Sequence, residues 1–246
     1  ASPLLPLLLA LSACAIAQPA TQPTTQPSAT RTEPFVGVEH IHRTQIEPRP
    51  LNIHVIRIDL TAPGIRFKVT PDNGPAPRET ELRTTPAFLI QQDAQLAINT
   101  HFFSPFPPNA PHSNVIGLAA SEGDVYSAFE KGWPALNISK ENEVTFHDTP
   151  PDEDAKLYNA LAGNERILRD GENTARDGKA LHPRTGIGLT QDGKTLILIT
   201  VDGRREGFSE GVTTVELAEL LAEYGAHDAL NLDGGGSTTL AIADPD

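Results

Sequence analysis

Cysteine occurs once in the 246 residues, methionine is absent, and aromatic side chains make up only 5%. A single thiol excludes an intrachain disulfide and leaves a Cys/His zinc site without its usual donors, although histidines and carboxylates remain. Basic residues are also scarce. Lys and Arg number 19 against 32 Asp and Glu, giving a formal charge of -13. That balance argues against non-specific binding to nucleic acid or to an anionic membrane surface. It leaves room for a small phosphorylated substrate, because a pocket can be positive within an acidic protein. Apolar content is ordinary, so composition allows a real core. With no initiator methionine and an abrupt stop at Ala243-Asp244-Pro245-Asp246, the sequence reads as a fragment clipped at both ends.

The amino-terminal apolar run, Leu4 to Leu11, is interrupted by Pro6 and is too short to span a bilayer. It has the length of a signal-peptide core, and Leu11-Ser12-Ala13-Cys14 follows it directly. Small residues before a lone cysteine resemble a bacterial lipobox, in which the thiol of Cys14 is lipidated. An ordinary cleavage site with an incidental cysteine is the other reading. Gln18 to Pro34 is rich in Pro, Thr, Gln and Ser and reads as a semi-extended tether. The expected organisation is therefore a leader over residues 1–14, a linker over 15–34 and a folded domain over 35–246. The chain is expected to be exported to a bacterial cell envelope, touching membrane only through the anchor at Cys14.

In the folded region, short apolar stretches at Val36–Ile46, Leu51–Leu60, Ile65–Val69, Leu96–Asn99, Val115–Ala120, Ala135–Ile138 and Val144–Phe146 read as strands. Thr84 to Gln92 reads as a short helix opened by Thr85-Pro86. Gln191-Asp192-Gly193 joins Gly186–Leu189 to Thr195–Val201 with hairpin chemistry. Leu196 to Val201 is almost wholly apolar and so is expected to be covered on both faces. Thr213 or Thr214 caps an amphipathic helix that runs to about Tyr224, ends at Gly225 and buries Leu217, Leu220 and Leu221. Many strands, few helices and hairpins predict an α+β single domain, with a mixed, largely antiparallel sheet and a few packed helices.

Four polar clusters fall at ends of these strands: Asn99-Thr100-His101, His182-Pro183-Arg184-Thr185, Asp202-Gly203-Arg204, and Asp233-Gly234-Gly235-Gly236-Ser237. The last is the most informative. Asp233 follows an apolar run, and the glycines allow backbone N–H groups to approach anionic oxygen. A tight turn with a capping Asp explains the same string. Arg184 can grip two phosphate oxygens at once, or form a structural salt bridge to a carboxylate such as Asp202. Asn99 can serve a sugar hydroxyl or a strand-end turn. His101 can act as a general acid, orient Asp233, or sit half-buried beside Phe102 and Phe103. Metal ligation by His101, His182, Asp202 and Asp233 has no supporting spacing, so no metal or cofactor is expected.

These segments, taken in order with Gly117–Val125, Gly207 and the Leu217-Ala218 helix, resemble the phosphodiester glycosidase family. The ordered set covers most of the chain from about Val36 onward. Thr100-His101 departs from the small residues common in the family after the asparagine. The family domain also commonly continues beyond the glycine-rich turn. The resemblance implies cleavage between a sugar anomeric carbon and a phosphodiester oxygen, on a substrate like an N-acetylglucosamine-1-phosphodiester. It implies Asp233 as nucleophile or base, with Asp202 and His101 as further catalytic candidates. Arg184 and the N–H groups of Gly234, Gly235, Gly236 and Ser237 would hold phosphate, and Asn99 and Thr185 would contact sugar or phosphate. A small sugar phosphodiester or glycan is the expected partner, with no nucleic acid. A non-catalytic envelope-polysaccharide-binding lipoprotein and a metal-dependent phosphodiesterase are the alternatives.

Overall fold

The computed structural model describes residues 28–244. The leader and Cys14 lie outside these residues, as does the linker as far as Pro27. Strand accounts for 41% of the described residues and helix for 9%. The larger sheet has eight strands in the order Ser28–Phe35, Val38–Gln45, Leu51–Asp59, Thr195–Val201, Arg184–Thr190, Ala226–Asn231, Glu165–Arg169 and Glu172–Asn173. A five-stranded sheet packs against it, ordered Val144–His147, Ala135–Ile138, Asn159–Ala162, Ala119–Ser121 and Asp124–Ser127. Every strand pairing among the described residues is antiparallel. The mixed sheet expected from sequence is therefore corrected to a wholly antiparallel, mainly β architecture with two α-helices among the described residues.

Thr195–Val201 lies fourth of the eight strands, and its apolar run serves two cores. Ile197, Ile199 and Val201 face the helix Thr214–Glu223, with Ile53, Val55, Leu217 and Leu221. Leu196 and Leu198 face the second sheet, with Leu136, Ile138 and Leu161. Burying each such side chain contributes roughly 1.5–3 kcal/mol, so this strand anchors both layers. The helix begins where expected. The Thr213 hydroxyl accepts the Glu216 N–H, the Glu216 carboxylate accepts the Thr213 N–H, and Arg49 pairs with Glu216 at 2.5 Å. Gly225 turns the chain out of it at φ +100.

Glycines in the neighbouring strand Arg184–Thr190 set how closely its neighbours pack. A Cβ at Gly186 would lie 2.9 Å from Leu221 of the helix, and one at Gly188 would lie 2.7 Å from the Ala226 Cβ. These positions need a missing side chain, not an unusual φ.

Two segments differ from expectation. Ile65–Val69 runs extended but pairs with no strand. Instead the Asn159 side chain donates to Phe67 O at 2.9 Å and accepts the Val69 N–H at 3.4 Å, standing in for a neighbouring strand. The carboxy-terminal part of the expected linker, from Ser28, is the edge strand of the large sheet, paired with Val38–Gln45. Its residues are largely exposed, so backbone hydrogen bonds rather than core burial hold it.

Candidate active site

Antiparallel register brings strand ends together. Arg184 pairs with Val201, and Gly186 with Asn231, so the polar residues before Arg184, after Val201 and after Asn231 share one end of the sheet. The end of Leu96–Ile98 joins them through Asn99. Its side chain donates to Asp233 O at 2.7 Å and accepts the Thr185 hydroxyl at 2.9 Å and the Thr239 N–H at 3.0 Å. The Gly235 N–H reaches Pro183 O at 2.9 Å, and the Arg204 guanidinium reaches His182 Nδ1 at 3.2 Å. All four polar clusters are thus linked by direct hydrogen bonds.

Asp233 sits just past the buried Leu232, whose N–H is held by Thr185 O at 2.9 Å. Its own N–H is held by Thr100 O at 2.9 Å. The carboxylate is half-buried, and Oδ1 accepts the Gly234 N–H at 2.9 Å. Burial pushes its pKa above the ordinary carboxylate value, against the opposing pull of the Ser237 hydroxyl and the Gly234 N–H. A carboxylate that is desolvated, fixed in place and still partly accessible is suited to nucleophilic or base chemistry.

The glycine turn works differently from the cradle expected. The N–H groups of Gly234, Gly235 and Ser237 bond to Asp233, Pro183 and Gly234, so the turn is stiffened from within rather than opened to an anion. A Cβ at Gly234 would lie 2.7 Å from Pro183 O. Gly235 takes φ +63, and a Cβ there would meet both Arg204 terminal nitrogens at 3.2 Å. Gly236 faces open space. The cation over this turn is therefore Arg204, an exposed residue held at φ +60. Its neighbour His182 is pulled below its ordinary pKa by burial and then by Arg184 and Arg204. Because Nδ1 accepts from Arg204, the His182 proton belongs on Nε2.

Arg184 is corrected. Strand alternation sends Thr185 to Asn99 and Arg184 to the opposite, helix-bearing face. There it donates to Val212 O at 3.2 Å, to Ala180 O at 3.3 Å and to Asp177 at 3.4 Å, with its side chain only 12% exposed. Its carboxylate partner is Asp177, not Asp202. Thr185 is fully buried, and Asn99 uses its amide on neighbouring protein groups, so both brace the backbone of the site. His101 is corrected likewise. Its ring lies against the second sheet, with Nε2 3.1 Å from Leu118 O and 3.2 Å from Ala162 N. Burial drives it down to about 4, so it is neutral at pH 7 and is no general acid there.

Asp202 faces a cleft of about 330 Å³, together with His40, His54, Thr200, Thr238, Thr239, Leu240 and Ile242. The Asn52 side chain donates to its carboxylate at 2.8 Å. Thr238 belongs both to this cleft and to the glycine turn, and its Oγ1 is buried without a partner, as is Asn231 Oδ1 just before Asp233. One triad of potential metal ligands occurs among the described residues, Asp170, His227 and Asp228. It lies toward the start of the Ala226–Asn231 strand, and Asp228 is already paired with Arg166 at 2.6 Å.

The sequence model of the phosphodiester glycosidase family matches residues 92–245. The chain belongs to this family. Among family relatives, the SPbeta prophage-derived uncharacterized protein YomE of Bacillus subtilis (strain 168) is 44% identical over 153 residues, 53% of this chain and 22% of that protein. The N-acetylglucosamine-1-phosphodiester α-N-acetylglucosaminidase of Bos taurus is 34% identical over 85 residues, 32% of this chain and 16% of that protein. The chain thus spans about a fifth of the length of these relatives. The fold matches a hypothetical protein from Synechocystis with a TM-score of 0.70 at 15% identity, covering 88% of this chain and 60% of that one. The zebrafish phosphodiester α-N-acetylglucosaminidase catalytic domain, auto-inhibited by its pro-peptide, matches with a TM-score of 0.64 at 18% identity, covering 90% of this chain and 75% of that one. Within this phosphodiester glycosidase domain, sequence reasoning passed over Arg204 and the His40–His54 wall. Arg204 stands in a cluster already singled out, next to Asp202-Gly203. The period-2 alternation that removes Arg184 was the signal that favours it.

Proposed function

We propose that the chain hydrolyses the bond between a sugar anomeric carbon and a phosphodiester oxygen. The observation that carries this reading is the half-buried Asp233 carboxylate, fixed beside a glycine turn over which the Arg204 guanidinium lies. The phosphate of the substrate binds Arg204 and the Nε2–H of His182, which draw off charge as the anomeric C–O bond breaks. A phosphate monoester leaves readily, so strong general-acid help is unnecessary, in keeping with a neutral His101. Asp233 acts at the anomeric centre as nucleophile or as base for water, and Asp202 is the second carboxylate. Family membership supports the reaction class, and the bovine relative's name makes an N-acetylglucosamine-1-phosphodiester the first substrate to try. The same proposal puts the domain outside the cytoplasm, tethered through lipidated Cys14. It is supported by the apolar run and the Leu11-Ser12-Ala13-Cys14 sequence. Fatty-acid labelling that survives in a Cys14→Ala variant would refute the tether.

The test of the reaction is turnover of a panel of α-sugar-1-phosphodiesters by the full chain and by Asp233→Asn. Free reducing sugar released by the parent alone is the expected result. Sugar-1-phosphate as product would mean P–O cleavage and overturn the mechanism. Binding without turnover on every substrate would favour a carbohydrate-binding role.

A further inference from the structure

The cleft in front of Asp202 joins residues inside 92–245 to two from strands outside it, His40 and His54. Val38–Gln45 and Leu51–Asp59 run antiparallel with His42 opposite His54, placing His40, His42, Asn52 and His54 on the sheet face away from the helix. The rings stack: His42 lies 4.4 Å from His54 and His40 lies 5.3 Å from it, between ring centres.

Their hydrogen bonds have one consistent proton assignment. An ionised Asp202 can only accept, so the Asn52 amide nitrogen faces it at 2.8 Å and Asn52 Oδ1 faces His42 Nε2 at 2.6 Å. His42 therefore carries its proton on Nε2. The same Asn52 nitrogen faces His54 Nε2 at 3.4 Å, so His54 carries its proton on Nδ1 and donates it to His40 Nε2 at 3.0 Å. His40 is left with Nδ1–H. Burial, and then the neighbouring His42, pulls His40 below its ordinary value and His54 down to about 4. Of the lining side chains, His40 and His54 are thus held toward the neutral form, and the one negative group among them is Asp202.

The rest of the lining is apolar at Leu240 and Ile242 and carries hydroxyls at Thr200, Thr238 and Thr239. Thr238 Oγ1 is buried with no protein partner, which marks a polar group kept for a ligand. A lining that joins hydroxyl-binding groups to apolar side chains matches a pyranose, whose edge is polar and whose face is C–H. About 330 Å³ is near the lower end for small-molecule sites and suits one sugar residue rather than a chain.

The geometry points to this cleft as the sugar subsite, shaped for a neutral pyranose and closed to uronic acids by Asp202. The inference rests on the proposed glycosidase reading for its place beside Asp233, but its test needs no turnover. Free N-acetylglucosamine, glucose and glucuronate are titrated against the full chain at pH 7 by calorimetry. The two neutral sugars should bind at least about tenfold more tightly than glucuronate, because the half-buried Asp202 carboxylate repels a second one. Asp202→Asn, nearly the same shape, should bring the three sugars to within about twofold of one another by removing that repulsion. Ile242→Trp, shown folded by circular dichroism, should abolish binding by filling the apolar side. Glucuronate binding as well as the neutral sugars, no sugar binding at all, or unchanged binding in Ile242→Trp would each overturn the assignment. Selective sugar binding without phosphodiester turnover would instead leave the subsite standing and remove the glycosidase reading.

Discussion

Arg184 and Arg204 should respond oppositely to truncation. Arg184→Ala removes three charge-assisted contacts, to Val212 O, Ala180 O and Asp177, from a side chain that is 12% exposed. The contacts are long, at 3.2–3.4 Å, Asp177 is 41% exposed and can rehydrate, and Val212 O keeps the His182 N–H, so the loss is set by Ala180 O, which is left without its donor. That amounts to about 1.5–3 kcal/mol. In a domain of this size each kcal/mol shifts Tm by roughly 2–4 °C, so a fall of about 3–12 °C is expected. Activity below the new transition should stay within about threefold of the parent, since this side chain lies on the helix face. Arg204→Ala removes an exposed side chain and should change stability by less than about 0.5 kcal/mol. It also takes away the cation over Gly235, which should lower kcat/KM on a sugar phosphodiester by about 10²–10³. Thermal unfolding followed by circular dichroism and initial-rate kinetics on the same preparations decide the matter. An Arg184→Ala protein with full stability and no activity, beside an active Arg204→Ala protein, would refute the assignment of the phosphate site.

Two further outcomes follow from the packing. Gly188→Ala should destabilise by about 1–3 kcal/mol in urea unfolding, because the new methyl meets the Ala226 Cβ at 2.7 Å and Asp228 O at 3.2 Å, neither of which can swing aside; a neutral result would mean the strand pair has slack. His101 is held near 4 when folded, below its ordinary 6.5, so the unfolded chain binds the proton more readily. Its neutral form stabilises the fold fully above about pH 6.5, and that contribution is lost as pH falls toward 4, by about 3 kcal/mol. His101→Gln should flatten the Tm-against-pH curve across that window, and an unchanged curve would show that the ring titrates freely.

Much of the fold was legible because its signals are local. Thr213 with Glu216 announces a capped helix, Asp192-Gly193 a hairpin, and Leu196–Val201 a strand with no wet face. The strand directions were less legible, since antiparallel and mixed sheets share the same apolar runs. The site was legible in its parts and misjudged in its facing. The four polar clusters do meet, yet alternation along Arg184-Thr185 turns one of the pair away. The histidine wall depends on register between two strands and on what lies across from them. Nothing local in His40, His42 or His54 indicates Asp202, which is brought near by the pairing of Leu51–Asp59 with Thr195–Val201.

The described residues hold three buried side-chain polar atoms without partners, and two of them, Asn231 Oδ1 and Thr238 Oγ1, bracket Asp233 and its glycine turn. Each such atom costs about 1–3 kcal/mol relative to a satisfied one. Elsewhere the chain satisfies its buried polar groups with care, as Asn159 does for Phe67 and Val69. The turn itself is strongly determined: Asn99 fixes Asp233 O, Thr100 fixes its N–H, and Pro183 fixes Gly235. Looseness therefore does not explain the two orphans. A backbone held this firmly, with a desolvated carboxylate at its centre, a cation above it and unmet polar atoms on either side, has given up stability at one place. Local conflict concentrated at a rigid, partly open site is the pattern expected where ligand groups complete the hydrogen bonding. For this chain, they would be the hydroxyls of a sugar whose phosphate lies under Arg204.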